Sequence, residues 1–488
     1  MFPLINITQS IGFVNSLHRE FRIGRRRNEP GTHMLSPETH PAAMVPRPQE
    51  AEIVLIQVGE HGDGTVHSDE KGTLLTREDL RAIIAKHYGP ALQRRASWCG
   101  TTGAIAVRIG LNGAFWGLDT TGSGQYLHHL LPALANLGPD AEPSLFLPQY
   151  LALGNPELRA PCAVHPIRTP FDTWHKNLAK LWHEQIAYPD ACRRVGVDIA
   201  HVPYFAPPLR CMVPVVVTIH DLIPLVLSGY RGSLGVRGYM RLVSRAARCA
   251  AMVLTDSRAS ARDIEHLLHI PPERIRVIYL AVDVCYRPLA LWERQATLDR
   301  LRVPPRYLLY LGGFDQRKNV SGILRAFARA RERLEGTTLV IAGKLPAHDS
   351  AFTPDPHCLA KELKLEDRVH YTGWVAEEDK PALYSGATAF LFPSYYEGFG
   401  LPVLEAISCG TPAVVGTGSS LEEVAGPGGL AAPPADGEAL TRALVALVEQ
   451  PSLRQELAQR GLLHAQRFSW QETARQTLEA YREVLERQ

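Results

Sequence analysis

Five side chains able to do chemistry stand in or just beyond apolar runs of this chain. Glu397 and Glu405 are eight residues apart within 388–412, which reads TAFLFPSYYEGFGLPVLEAISCGTP. Arg317 and Lys318 follow Gly312-Gly313, and His220 closes the apolar run before Asp221. Carboxylates accept from hydroxyl groups, adjacent cations neutralise an anion, and imidazole carries charge near neutral pH. Together these types suit a polar, anionic ligand. Each also has a plainer reading. A carboxylate early in a helix is favoured by the helix dipole by about 0.3–1 kcal/mol, a basic pair commonly bends into water, and a strand-end histidine is often a packed core residue.

The elements that must position these groups follow from the pattern. The apolar run ending at Phe392 and Pro393 reads as a buried strand, and 401–409 as a short helix begun by Pro402 and stopped by Gly410 and Pro412. Glu397 then lies in the intervening loop with Gly398, Phe399 and Gly400, and Glu405 in the first turn or so of the helix. The helix head offers N–H groups to an anion. Arg317 and Lys318 precede a helix expected over 320–334 with Asn319 as its cap, a position where cations are disfavoured by about 0.3–1 kcal/mol unless an anion is bound. The segment is not a P-loop, since G-x-x-x-x-G-K-[ST] is missing. Neither Gly122-Ser123-Gly124 nor Gly416-Thr417-Gly418 carries the third glycine of a dinucleotide fingerprint.

From residue 104 onward strands and helices alternate. Strands are expected at 105–111, 214–219, 251–255, 307–311, 338–342, 369–371 and 413–415, and helices at 125–137, at 257–268 with Ser257 as cap, and from 437. A Pro-bearing stretch, 286–305, reads as a linker between two α/β units of about 165 to 190 residues each. The expected fold is therefore α/β, with two Rossmann-like doubly wound domains facing a cleft and ligands at the carboxyl ends of the strands. The domains are expected at 105–290 and 306–468, with a C-terminal helix at 469–488 packing back on the first. Residues 1–104 read differently: Pro and polar residues crowd 30–49, with one strand at 53–58, one helix at 76–87 and partial order at best.

The 488 residues are 45% hydrophobic and 21% charged, as in an ordinary globular protein, and 52 Lys and Arg against 50 Asp and Glu give no argument for nucleic acid. Eight scattered cysteines without C-x-x-C spacing suit reduced thiols and suggest no zinc. The first 17 residues lack the basic start of a signal peptide, and no apolar run reaches the roughly 20 residues of a membrane span. A cytoplasmic protein is expected. Over 236–248, Arg237, Arg241, Arg245 and Arg248 share one helical stripe, either a solvated face or a peripheral contact for anionic membrane.

The ordered set G-S-G-Q-Y, T-I-H-D-L, L-T-D-S-R-A-S, V-I-Y-L-A-V-D, L-G-G-F-D-Q-R-K-N, E-G-F-G-L-P-V-L-E and S-S-L-E-E-V-A-G resembles the retaining glycosyltransferases of family 4, which have the GT-B fold. The resemblance covers about residue 105 to the C-terminus, and the E-x7-E element is its strongest mark. It implies that Glu397 binds hydroxyls of the transferred sugar, that N–H groups of Phe399, Gly400 and Leu401 meet phosphate, and that Glu405 holds the ribose. It further implies that Arg317 and Lys318 neutralise the diphosphate beside Gly312 and Gly313. Gly343, Lys344 and Val375 then face the nucleoside, and His220 lies near the reacting sugar carbon. Gly124 belongs to a lid loop, and Glu423 is a further donor-side candidate. The form of the motifs is most like bacterial mannosyltransferases of polysaccharide assembly, so the implied donor is GDP-mannose, with UDP-glucose open. The implied transfer is metal-independent, since no D-x-D pair is present, and the acceptor is a glycan or lipid-linked glycan. The rivals are a catalytically silent glycan-binding or scaffold subunit, a sugar-nucleotide epimerase and a glycan phosphorylase.

Overall fold

The computed structural model describes residues 106–118, 121–149, 151 and 160–487, together with the backbone of two short strands, His67–Ser68 and Leu74–Leu75, which pair antiparallel. The strand expected at 53–58 and the helix expected at 76–87 lie outside the described residues. Beyond residue 105 the described strands form two sheets, one of seven strands and one of six.

In the first sheet the spatial order is Ala163–Ile167, Ala141–Pro148, Val107–Asn112, Ile199–Val202, Val215–Thr218, Met252–Thr255 and Ile275–Val277, all parallel. In the second it is Val369–Gly373, Thr338–Ala342, Tyr307–Leu311, Ala389–Phe392, Ala413–Gly416 and Gly429–Ala432, again parallel. Both start in the middle, run to one edge, then return to the other side. These are two doubly wound, Rossmann-like sheets. In each, the reversal falls between the first strand and the fourth, where the following loops part and a crevice opens. In the second sheet the two strands at that point are Tyr307–Leu311 and Ala389–Phe392.

The central strands are buried on both faces, which is why they read as continuous apolar runs: every residue of Tyr307–Leu311 and Ala389–Phe392 is buried. Helices cover them at the expected places with small shifts of boundary. Ser257 caps Arg258–Leu268, its Oγ accepting from Ser260 N at 3.0 Å. The helix Gly122–Ala135 takes in Gly122-Ser123-Gly124, so Gly124 sits in a first turn and not in a lid loop. The missing side chain has a local reason there, because a Cβ at Gly124 would stand 2.1 Å from the Leu118 carbonyl.

Two expectations need larger correction. The supposed linker 286–305 holds a helix, Leu291–Arg300, built from residues of good helix propensity and started by Glu293 reaching back to Ala290 N at 2.8 Å. Arg300 reaches Asp379, tying this helix to the second unit. The helix after Asn319 ends at Arg329, not at residue 334.

The C-terminal helix Trp470–Glu486 lies against the first sheet. Its Tyr481 hydroxyl meets His201 Nδ1 at 2.6 Å, and the other His201 nitrogen meets Thr218 Oγ1 at 2.8 Å, all in the core. Trp470 stacks on His129 with ring centroids 4.9 Å apart. A chain that ends on its first sheet after completing its second joins the two units twice.

Candidate functional site

The loops leaving the two strands at the second sheet's reversal carry opposite charges to one place. Arg317 and Lys318 leave Tyr307–Leu311 on a short 3-10 turn, Gln316–Lys318. Glu397 leaves Ala389–Phe392 on the other side. The Glu397 carboxylate takes Arg317 Nη1 on Oε2 at 2.5 Å and Lys318 Nζ on Oε1 at 2.7 Å. Its own exposure is only 8%, so neither cation bends into water. Burial alone would push the Glu397 carboxyl up; the two cations outweigh it and hold the group down to about 2. Burial likewise opposes the Arg317 charge, which Glu397, Asp315 and Asp221 more than restore.

Backbone demands explain the residues around them. Asn319 does not cap its helix through its side chain. It sits at φ 57, the left-handed region that asparagine tolerates, and its Nδ2 donates to Pro393 O at 3.2 Å and Pro434 O at 2.8 Å. That stitches the cation loop to the Glu397 loop. Gly343 adopts φ 139 with its ideal Cβ position 2.2 Å from Gly312 O, so its turn packs against the Gly312 turn only as glycine. Gly313 and Lys344 are exposed beside them, while Val375 is buried and Trp374 is 68% exposed.

Gly400 opens the helix Leu401–Ser408 at φ 105, with Pro402 at its second position. Phe399 is buried and Leu401 half-buried at the helix head. Glu405 falls in the second turn, not the first. It is 5% exposed, accepts from the Tyr384 hydroxyl at 2.7 Å, and burial raises its carboxyl above the ordinary range against the pull of Lys380.

His220 comes from the other sheet and is buried. Its Nδ1 lies 2.6 Å from an Asp256 carboxylate oxygen and its Nε2 3.2 Å from Pro203 O. Two acceptors facing two ring nitrogens call for a proton on each. Burial opposes that charge, but Asp256 outweighs it and raises the imidazole above its ordinary pKa. Burial also lifts the neighbouring Asp221 carboxyl to about 6.

The two units touch at backbone level here. A Cβ on Gly398 would stand 2.1 Å from His220 O. The Gly398 carbonyl accepts from Ser257 Oγ at 2.6 Å and Ser260 Oγ at 3.1 Å, both at the head of the helix Arg258–Leu268. Glu423, expected on the donor side, gives its carboxylate to that same helix head, accepting from Arg258 N at 3.2 Å and Ala259 N at 3.1 Å, and from Tyr279 at 3.1 Å. Ser420 Oγ holds the Glu397 loop through Glu397 O at 2.9 Å and Phe399 O at 2.7 Å. Asp256, Ser257, Ser260 and Ser420 were not singled out as site residues from sequence, although their motifs were in view. Among the described residues no group of three or more His, Cys, Asp or Glu is placed to hold a metal ion.

With this geometry in hand, known proteins place the chain. A family model described as "Glycosyl transferases group 1" matches residues 299–464, and one described as "Glycosyltransferase Family 4" matches residues 120–285. O-antigen chain mannosyltransferase B of Escherichia coli is 34% identical over 286 residues, covering 58% of this chain and 74% of that protein. The chain belongs to the glycosyltransferases. An MMP alpha-(1->4)-mannosyltransferase of Mycolicibacterium hassiacum is 34% identical over 51% of this chain and 58% of its own length. Sucrose-phosphate synthase from Thermosynechococcus elongatus superposes with a TM-score of 0.62 at 20% identity over 78% of this chain and 100% of its own. Such neighbours share the GT-B arrangement of two Rossmann-like domains. The Arg317–Glu397–Lys318 cluster of this glycosyltransferase thus sits where an open α/β sheet places its ligands.

The cluster has a pH signature. Glu397 ionises near 4.5 in an unfolded chain and at about 2 in the folded one. A depressed carboxylate contributes fully above its unfolded value, and the contribution is lost as pH falls through the folded value. The difference is worth ~3 kcal/mol. Glu397→Gln should therefore cost stability of that order at pH 7, and urea unfolding at pH 7, 5 and 3 should show the gap to the parent protein closing below pH 4.5. A gap that does not change with pH would contradict the assignment.

Proposed function

We propose that this glycosyltransferase moves a hexose, mannose in first place, from a nucleotide diphosphate sugar to a glycan or lipid-linked glycan with retention of anomeric configuration. The observation that carries the reading is the buried Arg317–Glu397–Lys318 cluster at the second sheet's reversal, met from the first unit by the His220 backbone at Gly398. Breaking a glycosyl phosphate bond builds negative charge on the leaving diphosphate and positive charge on the sugar carbon. Arg317 and Lys318 meet the diphosphate, aided by N–H groups of Phe399, Gly400 and Leu401 at a helix head. As the diphosphate takes the cations, Glu397 is released to accept from sugar hydroxyls. Glu405 and Glu423 remain donor-side residues in this proposal, Glu405 toward the ribose and Glu423 through the loop it holds. Gly312, Gly313, Gly343, Lys344 and Val375 line the way to the nucleoside.

His220 has both ring nitrogens engaged, so it acts as a fixed positive charge and not as a proton shuttle. The donor's own phosphate then takes the acceptor proton in front-side attack. The carboxylate and cation set suits transfer without a metal ion. Mannose is favoured by the O-antigen and MMP mannosyltransferases among the relatives, and GDP-mannose is the donor that the form of the motifs implies. UDP-glucose is the second reading; a glycogen synthase of Mycobacterium tuberculosis, 26% identical over 74% of this chain and 90% of its own length, supports a glucosyl donor without naming its nucleotide.

No described helix is long and apolar enough to cross a membrane. Peripheral contact from the cytoplasmic side is part of the proposal, through Arg237, Arg241, Arg245 and Arg248, all exposed on the helix Leu234–Cys249. Liposome sedimentation should recover more protein with anionic than with neutral vesicles; equal recovery contradicts the contact. A ligand that prefers the native state raises its melting temperature. GDP-mannose should give the largest rise in a panel of UDP, GDP and ADP sugars, and NMR of the first product should show the donor's anomeric configuration. An inverted product would overturn retention, and no rise with any nucleotide sugar would overturn the donor reading.

A further inference from the structure

A cavity of about 430 Å3 opens beside the charged cluster, walled by both units: Ser228 and Tyr230 from the first, and Phe314, Asp315, Ser321 and Tyr395 from the second. Arg317 also lines it, so the cavity begins at the residue that grips Glu397. Its charge distinguishes it from the donor half. Arg317 and Asp315 are its charged lining residues and oppose one another, with Arg317 Nε 3.3 Å from Asp315 Oδ1. The strand-end glycines Gly312 and Gly343, the helix-opening Gly400, Lys318 and Glu405 lie outside it. Apart from Arg317, which the proposed diphosphate shares, no cationic side chain lines it.

The remaining lining suits a neutral, polyhydroxylated ligand. Tyr395 is 46% exposed, a large aromatic face left open although its backbone N–H is fixed to Arg317 O at 2.8 Å. Tyr230 is held in place from two sides: its hydroxyl donates to Asp315 and accepts from Arg317 N at 3.3 Å, and its ring lies 4.9 Å from Phe352. Rigid aromatic faces bearing a polar edge, next to hydroxyl and carboxylate acceptors, match a sugar's apolar C–H face and its rim of hydroxyls. The volume is at the lower end of the roughly 300–1,000 Å3 of small-molecule sites, enough for a short saccharide.

We propose that this cavity is a subsite for the acceptor, taking neutral hexose units of a glycan one or more residues away from the hydroxyl that reacts. The inference rests on the glycosyl-transfer reading and names the part of the substrate which that reading leaves open. Because walls come from both units, the subsite is complete only when they are closed on one another, so an acceptor held there favours the closed cleft.

The test uses α-mannotriose and maltotriose as probes, titrated into the full chain in the presence of GDP and of UDP and followed by saturation-transfer NMR and calorimetry. At least one trisaccharide should bind the parent protein. Tyr395→Ala, which removes an exposed ring and leaves the core intact, should weaken that binding about tenfold, and Ser321→Trp, which fills the cavity, should do the same. Nucleotide affinity should stay within about twofold in both variants, since neither side chain belongs to the Arg317–Lys318–Glu397 cluster or to the strand-end turns proposed to take the nucleotide. No saccharide binding to the parent protein, or binding that neither variant weakens, would overturn the subsite while leaving the donor reading standing. Absence of nucleotide binding in the parent protein would overturn the donor reading and the subsite with it.

Discussion

A carboxylate with almost no access to water must be compensated where it stands, and Glu397 is compensated by two cations that are themselves withdrawn from solvent. Removing one member of such a set leaves an unpaired buried charge, at a cost of about 3–5 kcal/mol. The cluster therefore fixes both loops at the reversal of the second sheet, since one loop supplies the acid and the other the bases. Asn319 adds two hydrogen bonds across the same seam. For a glycosyltransferase the same tension is useful. In the proposed reaction, two cations held by an internal carboxylate are placed and partly dehydrated before the diphosphate arrives, and the incoming anion would displace one partner without rebuilding the loop.

The contact between the two units is built on the residue after that carboxylate. Gly398 touches the His220 backbone, Ser257 and Ser260 grip its carbonyl, and Glu423 reaches across to the head of the same helix. An acidic group at a helix head is also favoured by the macrodipole. The loop that carries Glu397 is thus the loop on which the units meet, and in the proposed reaction closure of the cleft and placement of that carboxylate are one event. Bringing the two halves of such a site together around bound substrates is a common way to exclude water and complete the reacting set.

Much of this was legible in the sequence because it depends on local rules. Buried parallel strands are continuous apolar runs, so five of the six strands of the second sheet could be placed from runs such as the one ending in Phe392, but only three of the seven of the first: Ala141–Pro148, Ala163–Ile167, Ile199–Val202 and Ile275–Val277 were not expected. Gly312-Gly313 and the Gly398 to Gly400 stretch marked the loops between strand and helix, whereas Gly343 came only with the family resemblance. The Leu291–Arg300 helix was missed because Pro288, Pro304 and Pro305 outweighed an ordinary helical stretch between them. Asn319 was read as a cap from its position, whereas its left-handed backbone and its bonds to Pro393 and Pro434 depend on residues 74 and 115 positions away. The pairing of Arg317 and Lys318 with Glu397 was out of reach for the same reason. So was the Asp256 partner of His220: nothing local in either motif shows that two strand ends will face each other.

The central claim is that Arg317 and Lys318 exchange Glu397 for the ligand's diphosphate. Calorimetric titration of nucleoside diphosphate into the parent protein, Glu397→Gln and the Arg317→Ala, Lys318→Ala double variant tests it most directly. If the carboxylate competes with the ligand, Glu397→Gln should bind nucleoside diphosphate about tenfold more tightly and the double variant at least about a hundredfold more weakly. Unchanged affinity in the double variant, or weaker binding in Glu397→Gln at matched folding, would contradict it.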